Sequence, residues 1–378
     1  MPLSPRGPFS RALGAAALAV FCGQAVALAQ KPAPKPDQKP DAAVQQAQAQ
    51  PAAQQQELEI ATRVADAAMS GQSAPGDFPI QLQTDFLRAQ AGRVWVPLTI
   101  TVDSSKLSTS AVALYLRVTP RGMTAPAPPA TASPDKNSKD NKKDKKNDPK
   151  QAAAAAPPAP AYPYVDLALI DLKPPTPGQS MRILRGIGVL PGSYDLYVVL
   201  HERGAAAGKT SVLKQPLDVP NYSSGEFTTS SVILAERVDQ LAAPIPPEQQ
   251  SDRPYAFGAT EIVVSPEHKF KKSQELIVLL QIYNPTLSPE KKFNLEATYT
   301  FFRQDAGAEK RFNSTEPQTF TSDSVGGSVD PTGNTAIQAG QGIALQSFPE
   351  GPYRLEIKIT DKLSSKVVTQ NVNFTVTP

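Results

Sequence analysis

Reactive side chains are scarce in this chain. Of its 378 residues one is cysteine, two are histidine and one is tryptophan. Cys22 lies in an N-terminal apolar stretch, so the body of the chain has neither a disulfide framework nor thiolate chemistry. Its domains must hold together by their cores alone, as domains of ~100 residues can. His201 and His268 stand far apart in sequence, which leaves little for a zinc site or for Cys–His or Ser–His catalysis. No Gly-rich phosphate loop follows a strand pattern, and no Gly-x-Ser-x-Gly elbow occurs. The formal net charge is +3, without the clustered arginine and aromatic residues that grip nucleic acid. Past the N-terminus no apolar run reaches the ~18 residues of a membrane-spanning helix. The sequence thus predicts no catalytic, metal or cofactor residues, no nucleic-acid partner and no transmembrane segment in the mature chain.

What is present begins with an export signal. Arg6 and Arg11 form a basic start, Ala12 to Val20 an apolar run, and Ala27-Leu28-Ala29 a small-x-small cleavage site before Gln30. Residues 1–29 are therefore expected to be a signal peptide, with the mature protein periplasmic or extracellular. Acylation of Cys22 is disfavoured because Phe21 stands where a small residue is required. Residues 30–56 are Pro, Gln and Ala-rich and predict a disordered tether. Leu58, Ala61, Val64, Ala65, Ala68 and Met69 then recur at helical spacing, with Gly71 as a stop, so residues 57–69 predict a short helix packed on its own domain.

From Phe78 onward the periodicity changes to two. Arg93–Val102, Ala111–Val118 and Tyr164–Ile170 are rich in β-branched and aromatic residues and predict strands. Pro97 inside the first of these suggests a bulge or an edge. Residues 120–162, rich in Lys, Pro and Ala, cannot form a core and predict a long disordered insert within the first domain, between neighbouring strands. Met181–Val189 and Tyr194–His201 predict a hairpin about Pro191-Gly192, and Ser211–Val219 a last strand whose Pro216 belongs on an edge. The first β-sandwich domain is placed at 57–240, a Pro-rich linker at 241–254 and a second β-sandwich domain at 255–378. Short strands between turn residues, with no long helical period, make the chain all-β: two tandem immunoglobulin-like antiparallel β-sandwich domains.

One pattern occurs twice: Gly192-Ser193-Tyr194 before Asp195-Leu196, and Gly351-Pro352-Tyr353 before Arg354-Leu355. Each opens an alternating strand followed by one more strand. Gly192, Tyr194, Gly351 and Tyr353 are thereby structural candidates, the tyrosines as corner residues that bond back to the preceding turn. Candidates for chemistry are weaker. The run around Asp135 and Asn137 places lysines where calcium ligands should stand, and reads as a solvated polyampholyte. His268 lies in the basic stretch Glu267–Lys272, which reads as a solvated turn, and His201 on an outward face at a strand end. Tyr222, Phe227 and Tyr255, read as exposed aromatics, could stack on sugar rings, although scattered single aromatics are usual on any surface. A carboxylate pair for hydrolysis is a spatial property that no single sequence singles out.

The stretches Asp77-Phe78-Pro79, Val94-Trp95-Val96-Pro97-Leu98, Tyr162-Pro163-Tyr164-Val165-Asp166-Leu167, Pro191 to Tyr197 and Phe348 to Leu355 resemble a group of uncharacterised exported bacterial proteins. Those are similar to the β-rich accessory regions of von Willebrand A-related and GWxTD-type proteins. Asp103-Ser104-Ser105-Lys106-Leu107 departs from the Asp-x-Ser-x-Ser metal signature, and no Gly-Trp-x-Thr-Asp stretch is present. The resemblance therefore implies accessory β modules with no catalytic residues to carry over. The expected function is non-enzymatic binding or scaffolding at the cell envelope, through sandwich edges or the inter-domain groove, with an envelope protein or polysaccharide as partner. A carbohydrate-binding module is the alternative, and a carboxylate-dependent hydrolase a remoter one. Because the insert joins strands of one domain, deleting Pro126–Pro160 is expected to leave the thermal midpoint within a few degrees of the full chain; calorimetry of the two proteins checks this.

Overall fold

The computed structural model describes residues 52–125, 162–172, 180–204, 208–305, 307–325 and 336–378. The expected signal peptide, most of the tether and most of the insert lie outside the described residues. Helix α1 spans Ala52–Met69 and so begins inside the expected tether. Ala and Gln are good helix formers, and a docked apolar face carries the helix N-terminally past Glu57. Ala61 and Ala65 pack on Tyr115 and Val199, with Leu58, Val64, Leu167 and Val212 around them.

The first sandwich holds β1 (Ile80–Thr84), β2 (Leu87–Arg88), β3 (Val94–Asp103), β4 (Ala111–Pro120), β5 (Tyr164–Asp171), β6 (Ser180–Val189), β7 (Gly192–Glu202) and β8 (Thr210–Val219). One sheet sets β1 and β2 on one side of β3 and β6 on the other; the second has the order β5-β4-β7-β8. Alternation then decides the core: Val94, Val96, Leu98, Ile100 and Val102 of β3 meet Val112, Leu114, Leu116 and Val118 of β4 and Leu196, Val198 and Leu200 of β7. The insert joins β4 to β5, which pair antiparallel from Ala111↔Asp171 to Val118↔Tyr164.

The second sandwich holds β9 (Thr228–Thr229), β10 (Ile233–Gln240), β11 (Ala256–Phe257), β12 (Thr260–Val264), β13 (Lys269–Lys271), β14 (Glu275–Tyr283), β15 (Asn294–Asp305), β16 (Ala308–Ser314), β17 (Gln318–Thr321), β18 (Ile337–Ala344), β19 (Gly351–Asp361) and β20 (Val367–Thr377). Its sheets run β11-β12-β10-β14-β18, with β9 on β14, and β13-β20-β19-β15-β16, with β17 on β15. Pairing is antiparallel except for β13 with β20, which is parallel. Tyr353, Leu355, Ile357 and Ile359 of β19 sit in the core with Leu276, Val278, Leu280 and Ile282 of β14.

Three expectations are corrected. β6 pairs with β3 while β7 pairs with β4 and β8, so Pro191-Gly192 carries the chain from one sheet to the other and the hairpin is β7–β8. β10, expected in the first domain, pairs with β12 and β14. The Pro-rich segment 241–254 is accordingly a loop of the second sandwich, and the joint falls between Val219 and Thr228. Pro97 is on neither an edge nor a bulge: β3 has neighbours on both sides, and Thr84↔Leu98 and Leu87↔Trp95 share one register across a gap. Asp85 donates to the Pro97 carbonyl at 3.1 Å, but proline has no N–H to return, and the ladder breaks there.

The two sandwiches are stacked into one pile of four sheets. The second face of the β3 sheet presents Leu87, Ala89 and Trp95 to Ile233, Ala235, Tyr255, Ile262, Val264 and Leu279, a third apolar layer between the two cores. Trp95 is its keystone: the indole lies over Gly186 of β6, where a Cβ would come within 2.0 Å of the ring, and its Nε1 donates to the Pro254 carbonyl at 2.9 Å. Gly186→Ala is expected to cost about 1–3 kcal/mol through overpacking; urea unfolding followed by the fluorescence of the single tryptophan checks it.

Candidate interaction site

At the gap opposite Pro97 the backbone turns to the other sandwich. Phe86 donates to Ser231 Oγ at 2.9 Å, and Ser231 N–H returns a bond to the Phe86 carbonyl at 3.0 Å. That carbonyl also accepts from Tyr222 Oη at 3.1 Å. Arg88 N–H donates to Tyr283 Oη at 2.9 Å, and the Arg88 guanidinium lies over the Tyr283 ring. On β6 the Gly186 N–H donates to the Ser251 carbonyl at 2.7 Å, while Arg185 bonds Asp252 and Asp166. The expected inter-domain groove is thus filled beside Pro254 and Tyr255. Its Pro-rich stretch 242–244 and 246–249 remains exposed.

Inside the seam Tyr255 Oη donates to Asp85 Oδ2 at 2.6 Å. Asp85 is 4% exposed, and burial pushes its carboxyl up to about 6, against the lowering effect of the Tyr255 bond. It is a sealed carboxyl rather than a pair in a cleft, so it has no access for the chemistry of a hydrolase. Other carboxylates hold loops. Glu202 accepts the N–H groups of Ser108, Thr109 and Lys209; burial opposes its charge, but those bonds outweigh it and keep the carboxyl below its ordinary value. Asp361 accepts the N–H groups of Thr286, Leu363 and Ser364.

The aromatics read as exposed are instead turned inward, because they fill the cores and the seam: Tyr222, Phe227 and Tyr255 are all buried. Among the described residues Phe312 is the one exposed aromatic, and it packs against Phe348 and Tyr353. His201 lies beneath α1, its Nε2 3.9 Å from Glu57 and its Nδ1 2.7 Å from Thr210 Oγ1. His268 reaches back across the joint to Gln83, at 3.3 Å, and burial lowers its pKa despite a bond with the Asn373 carbonyl. No group of three or more His, Cys, Asp or Glu side chains among the described residues could hold a metal ion.

The repeated pattern sits at equivalent places, since Gly192 opens β7 and Gly351 opens β19, each a strand that turns back into the last strand of its sandwich. Both glycines have positive φ, 154° and 134°. Tyr353 is buried and donates to the Pro349 carbonyl four residues back at 2.8 Å. Tyr194 differs: it is half-buried, and its hydroxyl lies against Gly192, about 3.0 Å from where a Cβ would stand.

With the faces between sheets consumed, the open features are edges. β16 is exposed from Ala308 to Asn313 and carries Glu309, Lys310 and Arg311. β8 carries Lys214 and, on the edge as expected, Pro216; its first residues are bridged by Gly76 to Ser211. β13 is three residues long with two lysines. β5 is the terminal strand of its sheet and exposes Val165 and Leu169. Charges and proline are the usual means by which edges resist unwanted pairing.

No family model matches the chain, and no curated protein matches it. A solved structure, Escherichia coli alpha-2-macroglobulin activated by porcine elastase, is similar over 80% of this chain at 12% identity with a TM-score of 0.20. This chain covers 22% of the length of that one.

Asp85 makes the seam acid-tightened. Its carboxyl titrates higher folded, at about 6, than at the ordinary 3.8, so the folded state binds the extra proton and gains stability as pH falls between those values. From pH 8 to pH 5 this group alone is expected to add on the order of 1 kcal/mol. Asp85→Asn, which keeps an acceptor for Tyr255, should remove that increment; paired denaturation curves at the two pH values measure it.

Proposed function

We propose that this chain is an exported, non-enzymatic binding or scaffolding protein of the cell envelope that engages its partner through sheet edges. One observation supports this above others: the joint between the sandwiches is closed by packing and hydrogen bonds, whereas among the described residues long strands at the rims of the stack have a side without a strand neighbour. A stiff stack with open rims is suited to strand addition, in which backbone groups give affinity and alternate side chains give selectivity. Export rests on the N-terminal Arg6, Arg11 and Ala27-Leu28-Ala29 pattern, and the tether would space the stack from whatever holds its N-terminus. The partner is an envelope protein or polysaccharide. In this reading the chain acts as an accessory β module of the kind its turn and strand motifs resemble.

Site-specific photo-crosslinking in intact cells tests the reading. Probes at Lys310 on β16 and Lys214 on β8 should capture a discrete envelope component, and a probe at Glu248 in the exposed Pro-rich loop should not. Edges that capture nothing beyond background, in cells that export the chain, would sink it.

A further inference from the structure

Among the longer edge strands of the described residues β5 differs in kind. The outward edge of β6 is capped by Ser251, β18 is approached by Gln318, which reaches the Gly340 carbonyl, and β8, β13 and β16 carry proline or lysine. β5 reads Tyr164-Val165-Asp166-Leu167-Ala168-Leu169-Ile170-Asp171, with no proline, lysine or arginine along eight residues. Six of its eight residues are apolar or aromatic and its two charges, Asp166 and Asp171, are paired within the chain, yet Val165 is 44% and Leu169 39% exposed. Helix α1 lies over β4, β7 and β8 and meets β5 at Leu167, which leaves Val165 and Leu169 exposed. An edge strand without proline or lysine is a ready template for pairing with another strand.

The side chains choose that strand. Val165, Leu167 and Leu169 lie on the outer face, in register with Arg117, Tyr115 and Ala113 of β4. A two-fold axis perpendicular to the sheet keeps the outer face outward in both copies, so it must pass through a residue. Passing through Asp166, it opposes two carboxylates; passing through Ala168, it opposes Asp166 to Ile170 and Asp171 to Val165. Passing through Leu167, it sets Val165 opposite Leu169, Leu167 opposite itself, Tyr164 opposite Ile170 and Asp166 opposite Ala168. Charge complementarity is then satisfied inside each copy, where Arg185 bonds Asp166 and Arg203 bonds Asp171. Tyr164 and Ile170, which line the rim of the first core, complete that core across the axis.

We propose that β5 is a homodimerisation edge, at which a second copy of this chain pairs antiparallel about a two-fold axis through Leu167, joining the four-stranded sheets of the two copies into one. An isologous contact of this kind is closed and does not propagate into a filament. The inference goes beyond the envelope-partner reading, since the two use different edges.

Sedimentation velocity of the full chain from low micromolar to sub-millimolar concentration should show a monomer–dimer equilibrium. Val165→Lys with Leu169→Lys, which opposes lysine to lysine at two places, should leave a monomer with unchanged circular dichroism and thermal midpoint. In a Cys22→Ser background, Val165→Cys with Leu169→Cys should oxidise to a covalent dimer while neither single variant does. Within one strand the two sites are roughly 13 Å apart, beyond the ~7 Å that a disulfide spans. A chain that stays monomeric, a dimer indifferent to the lysines, or a dimer that forms only once Pro126–Pro160 is deleted would overturn the proposal, the last by showing that the insert occupies the edge. Crosslinks at Lys310 that persist in the monomeric lysine variant would separate this result from the envelope reading.

Discussion

Burial of β3 on both faces is the constraint on which the rest of the structure depends. From Val94 to Val102 every residue of this strand is buried. One set of side chains fills the first core, and Trp95 projects the other way into the layer shared with the second sandwich. A chain without disulfides has only such burial to oppose the conformational entropy of its ordered residues. Stacking a second apolar face gains area that two independent sandwiches on a flexible linker would leave wet. The joint is therefore a core, and a core does not bend continuously.

That choice determines where polar groups can go. Asp85 and Tyr255 satisfy each other in the seam at 2.6 Å, and Phe86 and Ser231 exchange backbone and hydroxyl bonds where Pro97 breaks the ladder. Under α1 the buried Arg117 bonds Asp66 and Tyr115 and lies over the Tyr162 ring. Each of these groups would be costly if left alone. Except for Tyr115, which shares β4 with Arg117, their partners come from a different structural unit, so they fix the alignment of units as well as satisfying their own burial. Asp85 stands apart from Glu202 and Asp361 because a single phenol cannot offset desolvation as three backbone N–H groups do.

What could be read from residues was local. Alternation in Tyr353–Thr360 identified β19 and its buried face, Pro216 identified an edge, and the spacing from Leu58 to Met69 identified the body of α1 and its apolar face. What failed was choice of partner. Met181–Val189 and Tyr194–His201 flank a turn and alternate correctly, yet they enter different sheets, because period two says which side chains are buried and not against whom. Ile233–Leu234–Ala235 is apolar on consecutive residues, the mark of a strand buried on both faces, and nothing in it distinguishes one sandwich from the other. Tyr222 and Tyr255 look like surface aromatics in their polar, Pro-rich surroundings. They are buried because the seam they fill brings together segments distant in sequence, such as Tyr255 and Asp85. Trp95 carried the one available hint: a lone tryptophan on a strand whose opposite face already alternates valine, leucine and isoleucine calls for a second apolar surface.

Once the faces are spent, recognition has only the rims left. A rim strand can be made selective by its side chains or left permissive by their absence, and this chain does both. Glu309, Lys310 and Arg311 give β16 a charged rim on which a partner must match charge to gain hydrogen bonds. β8 combines a lysine with a proline that deletes one ladder donor. β5 has no proline and no cation, and its two carboxylates are neutralised by Arg185 and Arg203 of its own copy; its exposed Val165 and Leu169 are spaced to meet each other across an axis through Leu167. Retaining an unprotected strand carries an aggregation hazard unless something orderly covers it. A symmetric pairing covers it completely, consumes one rim of each copy and leaves β8 and β16 facing outward. On this arrangement the dimer would present its selective rims in duplicate, so that a weak edge contact to a partner becomes a bivalent one.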